Sequence, residues 1–141
     1  MATARKAMGT KLKRGDGGAP ENFVDVGRMK NFTGPNRSSE QIDITDLGNT
    51  SGYAEYLAGL KDGGEFVLEL NWDPADAQHA ALLDTDFESQ IARNWQIVWA
   101  NSGVTSQLVA ILLKHDPKGD PRSALTATCT LKVTGAITNE V

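Results

Sequence analysis

The chain has 141 residues, a formal net charge of −4 and 40% hydrophobic residues, which suits one globular domain with its own core. Its single cysteine excludes an internal disulfide and a multi-cysteine metal site. No apolar run approaches the ~20 residues that span a bilayer, and the N-terminus lacks the apolar middle of a signal peptide. We therefore expect the protein to fold in a cytoplasm without binding a membrane.

The N-terminal segment is basic, whereas the remainder is acidic. Residues 1–14 contain no acid and five cations, so the rest holds nine basic (14 − 5) and eighteen acidic residues, a net of −9. The five cations are Arg5, Lys6, Lys11, Lys13 and Arg14. We predict that residues 1–20 form a flexible arm and residues 21–141 a single domain. The arm can be a solvated tail, a nucleic-acid tail or a segment that lies on another copy. It has no aromatic residue for base stacking, which places nucleic-acid binding last.

The first predicted strands precede a long connection. Residues 23–32 and 40–46 alternate as strands around a turn at 33–36, and Ile42 and Ile44 are predicted to point inward. Residues 47–64 then show no convincing periodicity. They nevertheless contain four large apolar residues, Tyr53, Tyr56, Leu57 and Leu60. Because long connections in compact domains are usually functional or disordered, we interpret this loop as a docking element rather than a mobile linker.

The clearest strand of the sequence covers residues 64–72. It places large apolar side chains on one face, namely Phe66, Leu68, Leu70 and Trp72. Asp73 and Pro74 are typical of a helix N-terminus, which predicts a short helix over 74–83.

The second half of the chain is also predominantly β. Alternation predicts strands over 94–100 and 124–134, and the apolar run 106–113 predicts a strand that is covered on both faces. Residues 115–122 are predicted to form the connecting loop. The fold class is therefore mainly β, a β-sandwich or barrel with one short flanking α-helix and a long inter-strand loop.

Nothing in the sequence indicates an enzyme. His79 and His115 are not at metal-ligand spacing, and no nucleophile-elbow motif is present. Cys129 shares an alternating apolar face, which indicates a core position. We expect no catalytic, cofactor-binding or metal-binding residues.

Four segments carry a resemblance to a known family. They are MGTKLKRGDGG near the start, FTGPNRSSEQIDITDL at 32–47, EYLAGLKDGGE at 55–65 and LKVTGAIT at 131–138. Together and in this order they resemble the major tail tube protein of long-tailed, siphovirus-type bacteriophages, whose fold is related to type VI secretion tube proteins.

The resemblance implies a structural virion protein. Its relatives form a β-sandwich that assembles into stacked hexameric rings, the hollow tube through which viral DNA enters the host without specific binding. The implied partners are further copies of the chain and the tape measure, tail tip and tail terminator proteins. The implied location is the phage tail, after synthesis in the host cytoplasm. A tube protein of a type VI or contractile injection system is the alternative. An alternative hypothesis from a different functional class is a β-sandwich module that binds a ligand or carbohydrate.

The resemblance and the charge pattern also suggest three sets of site residues. The subunit interface is predicted at Tyr53, Tyr56, Leu57, Leu60, Lys61 and Asp62. The inter-ring arm is predicted at Arg5, Lys6, Lys11, Lys13 and Arg14. The lumen-facing set is Gln41, Asp43, Glu65 and Glu69, whose acids would repel DNA phosphates.

Overall fold

The structure is a computed structural model that describes residues 2–140. Met1 and Val141, the outer ends of the predicted arm and domain, lie outside the described residues. The described chain contains nine strands and two short α-helices on either side of a π-helical segment. The strands are β1 (Lys11–Gly15), β2 (Phe23–Asp25), β3 (Met29–Thr33), β4 (Ser38–Asp43), β5 (Tyr56–Asp62), β6 (Glu65–Asn71), β7 (Arg93–Val98), β8 (Thr105–Lys118) and β9 (Thr126–Glu140). The helical elements are α1 (Ala77–Ala81), the π-helix Leu82–Asp86 and α2 (Phe87–Ser89).

Seven of these strands form one antiparallel sheet in the order β2-β1-β7-β8-β9-β6-β3. Its two edge strands are joined by residues 26–28 alone, and four residue steps span at most roughly 14 Å. The sheet must therefore curl until its edges meet at this corner. Gly27 and Arg28 make the turn with φ values of 76° and 60°.

The core lies on the concave face of the curled sheet. Alternate residues of the predicted strands are buried as expected, with Phe66, Leu68 and Leu70 on β6 and Trp95 and Ile97 on β7 no more than 2% exposed. Burying each such side chain contributes roughly 1.5–3 kcal/mol. The alternation of these two strands is confirmed.

Strand β8 differs from its prediction, because the apolar run is not covered on both faces. Leu108, Ala110 and Leu112 are buried, whereas Val109 and Ile111 on the opposite face are half-buried. The strand also runs on to Lys118, so the predicted loop over 115–122 begins inside the β8–β9 hairpin.

The N-terminal arm is shorter than predicted. Strand β1 pairs with β2 on one side and β7 on the other, so residues 11–15 belong to the sheet rather than to a flexible arm over 1–20. The strand predicted over 23–32 is in fact two strands at opposite edges of the sheet, separated by residues 26–28. Val26 is 3% exposed and packs in the core at the corner.

The helix also begins later than predicted. Asp76, not Asp73, is the N-cap, and its carboxylate accepts hydrogen bonds from the backbone N–H groups of Gln78 and His79. The buried His79 ring joins this helix to the corner of the sheet. Its Nδ1 accepts a 2.9 Å bond from the Asp73 N–H, which leaves Nε2–H to donate to the Val26 carbonyl at 2.8 Å.

Strands β4 and β5 form a separate two-stranded ribbon. Residues 47–64, which were predicted to form a long connection, therefore contain strand β5, and the loop is confined to the residues before this strand. Ile42 and Ile44 were expected to point inward, but they are 46% and 42% exposed. The ribbon is a separate sheet, and within residues 2–140 these two side chains are left exposed to solvent.

Candidate assembly surface

The β4–β5 ribbon carries the largest group of exposed apolar side chains in the described chain. Together with the loop 44–55 that closes it, the ribbon exposes Ile42, Ile44, Leu47, Tyr53, Tyr56, Leu57 and Leu60. Tyr53 and Leu60 are 78% and 77% exposed. Monomeric proteins rarely expose clustered apolar side chains of this size, which indicates a surface that another molecule covers.

Apolar side chains occur on both faces of the ribbon. Ile42 lies opposite Leu57 in the register, so these two share one face. Tyr56 lies opposite Asp43 and therefore occupies the other face. A ribbon that is apolar on both faces is suited to insertion between neighbours rather than to packing on one flat surface.

The loop that closes the ribbon is held by hydrogen bonds between its two ends. The Glu55 N–H donates to Thr45 Oγ1 at 2.7 Å, and the Ile44 N–H donates to the Glu55 carbonyl at 3.0 Å. The backbone N–H of Thr45, followed by its hydroxyl, lowers the pKa of Asp43 below its usual value. The carboxylate of Asp43 thus stabilises this end of the ribbon.

All six residues of the predicted interface are exposed, but one of them, Asp62, already has partners within its own subunit. Tyr56, Leu57, Leu60, Lys61 and Asp62 lie on strand β5 and Tyr53 in the loop before it, all exposed. Asp62, however, is bound by its own subunit. Its carboxylate accepts a 2.9 Å bond from Lys132 Nζ and a 2.8 Å bond from the Gly64 N–H.

The predicted lumen-facing residues do not share a surface within the subunit. Gln41 and Asp43 lie on the ribbon, whereas Glu65 and Glu69 lie on the convex face of the seven-stranded sheet. The two glutamates also have cationic neighbours there. Glu65 is opposite Lys132 in the register, and Glu69 is 3.5 Å from Lys30 Nζ. The convex face is therefore less acidic than the sequence suggested.

The five arm cations also separate. Arg5 donates to the carbonyl of Asn101, and Lys6 and Lys11 are exposed. Arg14 is 8% exposed and points into the subunit, so its assignment to an inter-ring arm is wrong. Lys13 precedes it on the opposite face of β1 and is half-buried.

Arg14 belongs to a buried ion cluster that the sequence analysis missed. Its Nε and Nη2 donate to Asp86 at 2.7 and 2.8 Å, and Arg93 Nε donates to the same carboxylate at 2.9 Å. The cluster ties β1 and β7 to the π-helix. The only local signal is that Arg14 alternates with Leu12, since Asp86 is 72 residues away in sequence.

Cys129 and His79 are buried, and His115 is half-buried. Burial raises the pKa of the Cys129 thiol to about 12 and lowers that of His115, whose ring packs edge-on against Trp72 at 5.1 Å between centroids. Within residues 2–140, no three His, Cys, Asp or Glu side chains are grouped as a metal site. In the same range, no helix is both long and apolar enough to cross a membrane.

Within residues 2–140, the curled sheet is joined to a ribbon that exposes apolar side chains on both faces, and such a surface is typical of proteins that associate with other chains. Comparison with known families makes the class specific. The family model described as "Phage tail tube, TTP, lambda-like" matches residues 3–130. The chain belongs to this family of phage tail tube proteins.

Solved structures share the fold at low sequence identity. A chain from the tail of an empty gene transfer agent particle, refined helically with C6 symmetry, is 16% identical with a TM-score of 0.77, covering 98% of this chain and 100% of its own. The SPP1 tail tube is 14% identical with a TM-score of 0.69, covering 96% and 81%. A chain of the sheath/tube terminator of the extracellular contractile injection system PVC is 13% identical with a TM-score of 0.71, covering 99% of each.

No match is found among curated proteins. The family model thus shows the family, and the solved structures show the fold.

Proposed function

We propose that this chain is the structural subunit of a phage tail tube, assembling into hexameric rings that stack into a hollow conduit for DNA. The observation that carries the proposal is the ribbon with exposed apolar side chains on both faces. The family match supports a role in a tail tube. The C6 symmetry of the gene transfer agent tail supports six subunits per ring.

The physical logic of the assembly follows from the shape of the subunit. A ribbon that docks on a different part of the next copy makes a heterologous contact. Such a contact closes into a ring when the rotation between copies allows it, and it repeats without closing when rings stack along the tube. Buried aromatic and aliphatic anchors typically contribute ~2 kcal/mol or more each at an interface. Tyr53, Tyr56, Leu57 and Leu60 are the anchors in this proposal, with Lys61 at the polar margin.

The role is structural rather than enzymatic. The buried thiol of Cys129 and the ring of His79, with both nitrogens hydrogen-bonded, serve the core. Glu65 and Glu69 on the convex face, together with Gln41 and Asp43 on the ribbon, are proposed to line or border the lumen. We further propose that tape measure, tail tip and terminator proteins begin and end the tube, and that subunits fold in the host cytoplasm.

Electron microscopy of the purified protein over a concentration and salt series tests the proposal. We expect rings or tubes with six subunits per ring above a threshold concentration, without any added small molecule. A species that stays monomeric at every concentration and salt, including with tail-tip initiators added, would contradict it.

A contractile injection system tube is the second candidate. Chains from the anti-feeding prophage baseplate and from the PVC terminator share the fold, with TM-scores of 0.72 and 0.71. Particles isolated from producing cells separate the two functions. Tubes joined to DNA-filled heads support the phage role, whereas headless tubes inside a contractile sheath support the second candidate.

A further inference from the structure

The β4–β5 ribbon joins the rest of the subunit through two short links. Residues 34–37 lead from β3 into β4, and Gly63 and Gly64 lead from β5 into β6. An isolated two-stranded ribbon is only marginally stable and would swing about such links. Strand β5 has seven residues and so extends about 24 Å, which means that a 10° swing at the base displaces the far end by about 4 Å.

The first link is hydrogen-bonded to the residue that follows the second link, and the second link is hydrogen-bonded to strand β9. The side-chain oxygen of Asn36 in the first link accepts a 2.7 Å bond from the Glu65 N–H, next to the second link. The Gly64 carbonyl accepts a 2.9 Å bond from the Val133 N–H of β9. Lys132, the preceding residue of β9, bridges to Asp62 at the end of the ribbon at 2.9 Å.

Glycines allow these links to pack at contact distance. A Cβ on Gly63 would lie 2.5 Å from Val133 Cγ1, and one on Gly64 would lie 2.3 Å from the backbone oxygen of Asn36. Gly34 and Gly64 also have φ values of 101° and 78°, where glycine is favoured. The base of the ribbon therefore accepts no larger residue without moving.

We propose that this junction, which we term the ribbon lock, fixes the direction of the ribbon before assembly, with Asn36, Gly63 and the Asp62–Lys132 pair as positioning residues for subunit docking. The inference rests on the proposed function, because it assigns the direction of the ribbon a role in tube assembly. Preorganisation matters here because a mobile ribbon must be ordered at the moment of binding, which weakens association.

Two reporter cysteines measure the direction of the ribbon in the monomer. Thr50→Cys lies beyond the far end of the strands and Gln96→Cys on the convex face of β7, both outside the lock. Spin labels at these positions give a distance distribution by pulsed electron paramagnetic resonance. Cys129 is fully buried and its thiol has a pKa of about 12, so it stays unlabelled in the folded protein.

The test variants are Gly63→Ala, Asn36→Ala and Lys132→Gln. Gly119→Ala is the matched control, since a Cβ there meets only Leu125 at an ordinary 3.5 Å. Asn36→Asp keeps the oxygen that accepts the Glu65 N–H and serves as the rescue variant. We expect Gly63→Ala and Asn36→Ala to shift or broaden the distance distribution and to raise the threshold concentration for tubes at least tenfold. Lys132→Gln should have a smaller effect in the same direction, and the two control variants should match the wild type.

The outcomes separate the two proposals. If the wild type forms no tubes, the proposed function fails, while the distance distributions still show whether these residues fix the ribbon. If the wild type forms tubes and Asn36→Ala keeps both its distance distribution and its threshold, the inference is overturned. A changed distribution with normal assembly also overturns it, since the direction of the ribbon would not matter. Asn36 is exposed, so its truncation tests the lock even if Gly63→Ala does not fold.

Discussion

Arg14 on β1 forms a bidentate ion pair with Asp86 on the π-helix, with Nε–Oδ2 and Nη2–Oδ1 distances of 2.7 and 2.8 Å. Removing one partner of a buried pair typically costs ~3–5 kcal/mol of stability. Arg93 remains bound to Asp86 in Arg14→Ala, so we expect a loss near ~3 kcal/mol for that variant and a larger one for Asp86→Ala. Urea unfolding of the monomer measures both, and the half-buried Lys13→Ala is the control. If Arg14→Ala has normal stability and fails only in assembly, Arg14 acts in contacts between rings, as the sequence predicted, and not in the buried ion pair.

The ribbon anchors should affect assembly without affecting folding. Surface substitutions usually change stability by no more than ~0.5 kcal/mol, and Leu60 is 77% exposed. We therefore expect Leu60→Ala and Tyr56→Ala monomers to unfold at the wild-type urea concentration. Each should weaken subunit association about 30-fold, the equivalent of ~2 kcal/mol. If either monomer is strongly destabilised instead, its side chain belongs to the core.

The shortened arm makes a specific truncation informative. Deleting residues 2–9 removes Arg5 and Lys6 but keeps Thr10, whose Oγ1 accepts a bond from the Ala100 N–H. We expect this truncation to fold normally and to polymerise more slowly, with less dependence on salt, because exposed ion pairs are screened over about 8–10 Å. Deleting residues 2–15 removes β1 and should prevent folding. Light scattering follows assembly, and wild-type kinetics in the shorter truncation would make the arm a solvated tail.

His115 should make the monomer sensitive to mild acid. Burial lowers the pKa of His115 in the folded state below its usual 6.5, so the unfolded chain takes up the proton first as pH falls. Stability is therefore retained above pH 6.5 and decreases below it. We expect His115→Phe, which preserves the ring packed on Trp72, to show a flatter dependence of melting temperature on pH. The charge of Asp116 raises the pKa of His115. Asp116→Asn should therefore make the dependence of melting temperature on pH steeper. Parallel curves for all three proteins would contradict this prediction.

The lumen assignment of Glu65 and Glu69 leads to a test in the assembled particle. Reversing both charges, as Glu65→Lys with Glu69→Lys, should permit assembly but slow DNA passage, because cations in a narrow channel attract phosphates. The double variant Glu65→Gln with Glu69→Gln is the neutral control and should lie between it and the wild type. DNA ejection kinetics provide the measurement. Wild-type kinetics in the reversed variant would remove these residues from the lumen.

Periodicity along the chain was sufficient to predict the fold class and the best-formed strands. Strong alternation of large apolar residues predicts β6 and β7 correctly, because one face of each strand is buried and the other is not. The ordered segments that resemble tail tube proteins also led to the family, which the comparison confirms over residues 3–130.

Which alternating face is buried, and which charged side chains form ion pairs, depends on contacts between distant parts of the chain. Ile42 alternates as a core residue does, yet it is exposed, because no surface within residues 2–140 covers it. In the sequence, Arg14 is one of five cations in a basic segment. In the fold it is buried, because it pairs with Asp86, which is 72 residues away along the chain. Local periodicity specifies which side chains share a face, whereas burial of that face depends on contacts that are distant in the chain or supplied by another copy.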